Sequence, residues 1–295
     1  NFSEYGSEVE WEHDGALDIK YHVNDTGYYC VRAWSENGFA ARVNWVSSSG
    51  KLPLVDYPKV PFYGFMTLVY MAIAVVWAYK SWRVWKDILP VQNQLFGLIC
   101  LMIVDMGVSY GFWNNYNKTG YSSMGWLAAM VVLDAGRNSL SFFMLLVVSL
   151  GWGVLRRSLG RIMKWCIGMG LFHFLSGCLF GSGVVISPPK DGQPVSLIYI
   201  LPLSLATLIF YLWTLWSIFR TVGSLQADLQ SYKLQMYTRL GNLLVISLVL
   251  LVGFLFANVI SMGLSLDSTW MDRNWRWQWL LMDGWLNLEY LLVFG

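Results

Sequence analysis

The chain has 295 residues, of which 56% are hydrophobic and only 13% charged, against about 25% charged in an ordinary soluble domain, so a soluble fold is disfavoured from the outset. The formal net charge is only +2, and the basic residues do not gather into a patch interleaved with exposed aromatics, so a nucleic-acid surface finds no support. Seventeen Trp and sixteen Tyr exceed the needs of a soluble core but suit membrane interfaces, where an amphipathic ring sits half in hydrocarbon.

Residues 1–50 alternate apolar and polar positions over Ala16 to Val23, Gly27 to Trp34 and Phe39 to Val46, with turns marked by Asn24-Asp25 and Asn37-Gly38. This pattern predicts three or four antiparallel strands. So small a piece cannot bury a core alone, so it is expected to complete a sandwich or to pack on the rest of the chain. Because the chain opens at Asn1 inside this pattern, it reads as a fragment of a longer protein. Cys30 has no evident partner, and its disulfide mate is expected upstream, in an oxidising compartment. Cys100, Cys166 and Cys178 lie in apolar runs and read as packing residues. Tyr28-Tyr29-Cys30, after Asp25-Thr26-Gly27, matches the tyrosine-corner strand of immunoglobulin domains over a short stretch. A different β-sandwich is preferred. Lys51 to Val60, with Pro53 and Pro58, reads as a linker.

From Val60 to Tyr79 no residue is charged, and some twenty residues at about 1.5 Å each span the roughly 30 Å hydrocarbon core. Similar runs follow at about 90–113, 125–155, 164–186, 195–219, 240–264 and 277–295. Seven helices are expected over 61–295, the last cut near its end. The first, third and fifth loops between them hold ten Lys and Arg: Lys80, Arg83, Lys86, Arg156, Arg157, Arg161, Lys164, Arg220, Lys233 and Arg239. The second, fourth and sixth hold four, Lys118, Lys190, Arg273 and Arg276. Short basic loops stay in the cytosol, so the N-terminal domain is expected outside it and the C-terminus inside. Three glycosylation sequons, at Asn1, Asn24 and Asn117, all fall on that outer side.

Of His13, His22 and His173, only the last lies in an apolar run, too few for a membrane zinc site, and His173 reads as a satisfied core residue. The seventh run has no lysine for a retinal Schiff base. No phosphate-cradling glycine loop and no defensible Ser, His and Asp trio appears, so neither an enzyme nor a bound cofactor or metal is expected. The informative residues are the ionisable ones in the apolar runs, each costing about 2.5–3.5 kcal/mol at a helix centre unless paired or hydrated. They are Asp105, Asp134, Arg137, Asp283 and Glu289. Measured from the outer helix ends, the three aspartates fall at a similar depth, roughly 9–14 Å inside, while Glu289 lies about 120° around its helix from Asp283. Asp134, Arg137, Asn138 and Ser141 follow an i, i+3, i+4, i+7 spacing and predict one polar stripe facing into the bundle. Two readings remain open. These groups line an outward-opening polar cavity, or Asp134 and Arg137 merely neutralise each other and staple the fold.

Thr26-Gly27-Tyr28-Tyr29-Cys30, Phe62-Tyr63-Gly64, Trp85-Lys86-Asp87-Ile88-Leu89, Val148-Ser149-Leu150-Gly151-Trp152-Gly153 and Trp270-Met271-Asp272 together carry a resemblance over nearly all of residues 20–295. The chain resembles the Golgi-dynamics-domain (GOST) seven-transmembrane proteins, also called the lung seven-transmembrane receptor family. The resemblance implies a membrane all-α seven-helix bundle, similar to Wntless and G-protein-coupled receptors, preceded by the C-terminal part of a GOLD-like antiparallel β-sandwich. It implies residence in Golgi and related endomembranes, a role in trafficking, and membrane lipids and lumenal protein cargo as partners, with cation conduction as the alternative. The family's acidic positions in helices two and three match Asp105 and Asp134. Arg156-Arg157 stands where rhodopsin-like receptors have Asp-Arg-Tyr, and the last run lacks Asn-Pro-x-x-Tyr, so G-protein coupling is not expected.

Overall fold

Long runs without charge have one way to satisfy their backbone in lipid, which is to close every N–H onto the carbonyl four residues back. Among the described residues six such helices form. They are α1 (Lys59–Arg83), α2 (Pro90–Thr119), α3 (Met124–Ser149), α4 (Arg161–Ile186), α5 (Leu197–Ala227) and α6 (Ser231–Leu264). The computed structural model describes residues 20–23, 29, 31, 43–83, 86, 90–153, 155, 156, 158–186, 197–227, 231–264, 279, 280, 284 and 287. Among the described residues, α1 to α5 are long and apolar enough to cross a membrane. Their outward faces carry exposed Phe65, Leu68, Val75, Leu175 and Leu212, a surface that water would not tolerate but acyl chains match. The chain is a helical membrane protein.

Each helix packs on the next in sequence, and α3 also packs on α5. Between α1 and α2 the core is Tyr63, Met66 and Tyr70 against Leu98, Met102 and Met106. A second cluster joins Leu146 and Val147 of α3 to Cys166 of α4 and Phe210 of α5, closed from the loop by Leu159. Cys100, Cys166 and Cys178 are free thiols. The seventh run is described at Trp279, Leu280, Gly284 and Asn287. It meets α1, where the Trp279 ring sits edge-on to Phe62 with centroids 5.2 Å apart.

Three boundaries differ from expectation. The third helix was expected to reach residue 155 but ends at Ser149, because Gly151 and Gly153 take φ of +85° and +75°, a left-handed backbone that stops a helix and favours glycine. Apolar Leu150 and Trp152 disguise this stop in the sequence. At Gly153 a Cβ would also stand 2.5 Å from Cγ2 of Val91, so the start of α2 packs directly on that turn. The fifth helix runs on to Ala227 and the sixth begins at Ser231, well into polar sequence, because polar residues end a membrane span without ending a helix.

The chain divides into compact units at Asn1–Val43 and Asn44–Gly295, so residues 44–50 belong with the helices and not with the expected β-domain. The reason is Asn117, in the last turn of α2. Its Oδ1 accepts from the Leu52 N–H at 3.1 Å, its Nδ2 donates to the Ser49 carbonyl at 2.9 Å, and its own carbonyl accepts from the Lys51 N–H at 3.0 Å. Gly50, at φ +130°, allows this approach, since a Cβ there would strike the Asn117 amide. Among the described residues of the first unit there is no strand. Of the expected strands, residues 20–23, 29, 31 and 43–46 are described and none of them is in a strand; the rest lie outside the described residues, as do Asn1, Asn24, Cys30, Asp283 and Glu289.

Candidate functional site

The polar stripe of α3 is built around Arg137, and it is divided: Arg137 and Ser141 are buried in the bundle, Asn138 is half-buried and Asp134 is exposed. This guanidinium, buried at 4% exposure, reaches two carboxylates on two helices. Nη1 lies 2.9 Å from Oδ2 of Asp105 on α2, and Nη2 pairs with Oδ1 of Asp134 one turn back on α3. Nη1 also donates to Oδ1 of Asn287 in the seventh run at 2.7 Å. Three segments of the bundle therefore meet at one cation. The common depth expected for Asp105 and Asp134 agrees with their sharing it.

The two carboxylates have unlike surroundings. Asp105 stands midway along α2 at 2% exposure, and its buried Oδ1 has no hydrogen-bond partner among the described residues. The Asp134 side chain is 52% exposed, and its Oδ2 accepts from Nδ2 of Asn138, one turn on, at 3.2 Å. With all three groups ionised, two carboxylates face one guanidinium, leaving one negative charge over. The excess falls on the exposed partner, since Asp105 is the one enclosed against the cation. Ser141, the fourth member of the stripe, donates to the Arg137 carbonyl at 2.8 Å. That bond satisfies the hydroxyl within its own helix, so Ser141 supports the stripe from within α3.

Sequence reasoning missed Asn287, because only ionisable residues were weighed, although an uncharged amide in an apolar run needs a partner for the same reason. It also missed Tyr70 of α1, whose hydroxyl donates to the Asn287 carbonyl at 3.5 Å, the outer limit of such a bond. His173 is a separate matter. Its Nδ1 is 2.7 Å from Oγ of Ser139 and its Nε2 is 3.2 Å from Oγ1 of Thr207, with Phe142 and Phe210 against the ring. Both ring nitrogens are engaged by hydroxyls, the arrangement of a satisfied core histidine.

At Asn117, the third sequon, the structure gives the side chain another use. The Nδ2 to which a glycan would attach donates to Ser49, and the residue is half-buried in a helix turn. A sequon is offered to the transferring enzyme on an exposed loop, so this geometry disagrees with the expectation of a glycan at Asn117.

Comparison with known proteins bears on the whole arrangement. Residues 58–294 match the family model described as GOST, seven transmembrane domain. The chain is 28% identical over 282 residues to an uncharacterised protein of Schizosaccharomyces pombe, covering 93% of this chain and 56% of that protein. It is 27% identical over 287 residues to membrane protein PTM1 of Saccharomyces cerevisiae, covering 95% of this chain and 55% of PTM1. To transmembrane protein 87B of Mus musculus it is 26% identical over 270 residues, covering 88% of this chain and 48% of the relative. The chain thus spans about half the length of the curated relatives it matches.

Proposed function

The chain belongs to the GOST seven-transmembrane family, and from that premise we propose that it is a trafficking receptor of the Golgi or a related endomembrane, whose bundle binds a lipid or lipidated ligand at Asp134. The observation that carries this reading is the half-exposed Asp134 carboxylate within a membrane-crossing helix. A carboxylate there costs about 2.5–3.5 kcal/mol unless something polar meets it. Arg137 takes one oxygen and Asn138 touches the other, while the excess negative charge stays open to a cationic head group. The ten-to-four distribution of basic residues between alternate loops supports a lumenal N-terminal domain, free to meet lumenal cargo, and a cytosolic C-terminus. No catalytic step enters this reading.

A second reading, a cation or proton conductor, is favoured by one observation, the buried Oδ1 of Asp105, unpartnered among the described residues, which can accept a proton or a desolvated cation. Arg137 beside it opposes a cation path, so lipid binding ranks first. One experiment separates the two. Full-length protein is purified, its retained lipids are identified by mass spectrometry, and the same preparation is assayed for ion flux in defined liposomes. The receptor reading requires a retained lipid that Asp134→Asn loses while the protein stays folded. Flux abolished by Asp105→Asn, with no lipid lost in Asp134→Asn, would replace it with the conductor.

A further inference from the structure

The side of α4 turned away from α3 carries a second feature. Gly170, His173, Gly177 and Gly181 face α3, whereas Arg161, Lys164, Trp165, Gly168, Phe172 and Leu175 follow at helical spacing along the opposite side, and all six are exposed. Three members of this stripe have no use within the fold. Arg161 and Lys164 stand one turn apart and repel each other, at the end of the helix whose dipole is positive. Among the described residues the ion pairs belong to Lys59 and Arg137, and the sequence holds no acidic residue between Asp134 and Asp191, so neither cation is neutralised there. Gly168 is the third. Glycine weakens a helix interior, and no close approach requires it, because a Cβ on Gly168 would meet no described atom within 4 Å. Its missing side chain leaves an open notch on the stripe between Trp165, three residues before it, and Phe172, four after it. The ten residues from Trp165 to Leu175 cover roughly 15 Å along the axis, half of the roughly 30 Å hydrocarbon core and therefore the depth of one leaflet.

We propose that this stripe of α4 is a binding site for an anionic phospholipid, with its headgroup on Arg161 and Lys164, its glycerol beside Trp165 and an acyl chain laid in the Gly168 notch and on past Phe172 to Leu175. Charge and notch together set the occupant, because they lie on one side of one helix. Basic residues at a membrane surface attract anionic headgroups, and a tryptophan settles at the headgroup level. A water-soluble anion would meet the two cations but leave the notch empty. A zwitterionic lipid would fill the notch and gain nothing from the cations. This place is distinct from the charge cluster. α4 begins at the end of the bundle where α3 stops, and Asp134 lies fifteen residues before that stop at Ser149, roughly 22 Å along the axis.

The test uses full-length protein carrying photoreactive benzoylphenylalanine in place of Leu175, in nanodiscs with equal phosphatidylcholine and phosphatidylserine. Both faces of the bilayer then present the same lipids, and the orientation of the chain does not matter. Lipids captured on irradiation are identified by mass spectrometry of the peptide that holds residue 175. Phosphatidylserine should be captured over phosphatidylcholine by roughly tenfold or more, since each basic residue near a membrane surface favours an anionic lipid by about fivefold. Arg161→Gln with Lys164→Gln should bring the two lipids to parity. Lys80→Gln with Lys86→Gln removes the same charge from the same end of the bundle, outside the stripe, and should leave the preference standing. Gly168→Leu fills the notch and should also bring the ratio to parity, while the unfolding midpoint holds or rises, since leucine favours a helix over glycine. Glycerophosphoserine, which lacks acyl chains, should not compete. Equal capture of the two lipids at the outset, or a preference that survives Arg161→Gln with Lys164→Gln or survives Gly168→Leu, would overturn the proposal. So would a preference that Lys80→Gln with Lys86→Gln removes as fully, or competition by the chainless headgroup.

Discussion

Nη1 of Arg137 lies 2.9 Å from Oδ2 of Asp105, joining α3 to α2 at a point where neither side chain is more than 5% exposed. A pair so enclosed is costly to form and costlier to break, because removal of one partner leaves the other charged and unsolvated. Arg137→Leu should therefore destabilise the bundle by about 3–5 kcal/mol, read as a lower midpoint of unfolding in detergent. The double variant Asp105→Leu, Arg137→Met removes both charges of the enclosed pair and should recover the part of that loss that comes from stranding Asp105. A double variant no more stable than Arg137→Leu alone would show that the pair is not the source of the cost.

The Asn117 clamp makes a local prediction. Asn117→Ala deletes the acceptor of the Leu52 N–H and the donor to the Ser49 carbonyl but leaves the Lys51 bond, which uses the Asn117 backbone. Loss of about 1 kcal/mol per hydrogen bond should speed amide exchange at Leu52 by roughly tenfold, with the helices unaffected. Peptide mapping after expression through the secretory pathway gives the complementary measurement. The peptide containing Asn117 should show no glycosidase-sensitive mass, and a glycan found there would mean that the 47–52 segment is not docked as described.

These two sites also show what could and could not be read in advance. Helix existence was legible because twenty uncharged residues in succession admit few other structures in lipid. Helix ends were not, since α5 and α6 run on through polar sequence and α3 stops inside apolar sequence at Gly151. The spacing of Asp134, Arg137, Asn138 and Ser141 marked one stripe of α3, of which Arg137 and Ser141 are buried while Asp134 is exposed. The partners of Arg137 on other helices were not legible in the same way. Depth could bring Asp105 to the right level, but nothing in a single sequence says which helices are neighbours, and Asn287 carries no charge to draw notice. Asn117 was read from its sequon, a three-residue pattern that is blind to what its side chain does after folding.

The end of α3 near Gly151 offers a third test. The last carbonyls of a helix lack partners within it, and here two are taken by side chains of other helices. Oγ1 of Thr221 on α5 donates to the Ser149 carbonyl at 3.0 Å, and the hydroxyl of Tyr237 on α6 donates to the Val148 carbonyl at 3.1 Å. Tyr237 is fully buried, so its ring packs as well as its hydroxyl bonds. Tyr237→Phe should cost only about 0.5–1.5 kcal/mol, whereas Tyr237→Ala, which opens a cavity, should cost about 3–5 kcal/mol. Similar losses in both variants would mean that the hydroxyl and not the ring ties α6 to α3.

The seam between α3 and α4 is the fourth. Along α4, Gly170, His173, Gly177 and Gly181 follow at helical spacing, and they meet Phe143, Ser139, Ala135 and Val131 in turn along α3. The two helices therefore run antiparallel in one register, with small residues where their backbones come close, as is common for helix pairs in lipid. A Cβ on Gly177 would stand 3.0 Å from Cβ of Ala135, with Cα of Ala135 at an ordinary 3.5 Å, so the obstacle is that one Cβ, which cannot turn away and is relieved only by its removal or by a small shift of a helix. A Cβ on Gly181 would stand 2.4 Å from Cγ1 of Val131, and the obstacle is then a β-branched side chain with little freedom to turn away. Both Gly177→Ala and Gly181→Ala should destabilise, by the roughly 1–3 kcal/mol of an overpacked contact. They should differ in rescue. Val131→Ala removes the methyl that blocks Gly181→Ala and should restore that variant, whereas no substitution at Ala135 short of glycine can relieve Gly177→Ala. Unfolding midpoints of the two single variants, of Gly181→Ala with Val131→Ala, and of Gly177→Ala with Ala135→Gly settle the register. If Val131→Ala rescues neither glycine variant, or rescues both equally, the pairing of residue 181 with residue 131 is wrong. The His173 to Ser139 bond, which follows from the same alignment, would then fall with it.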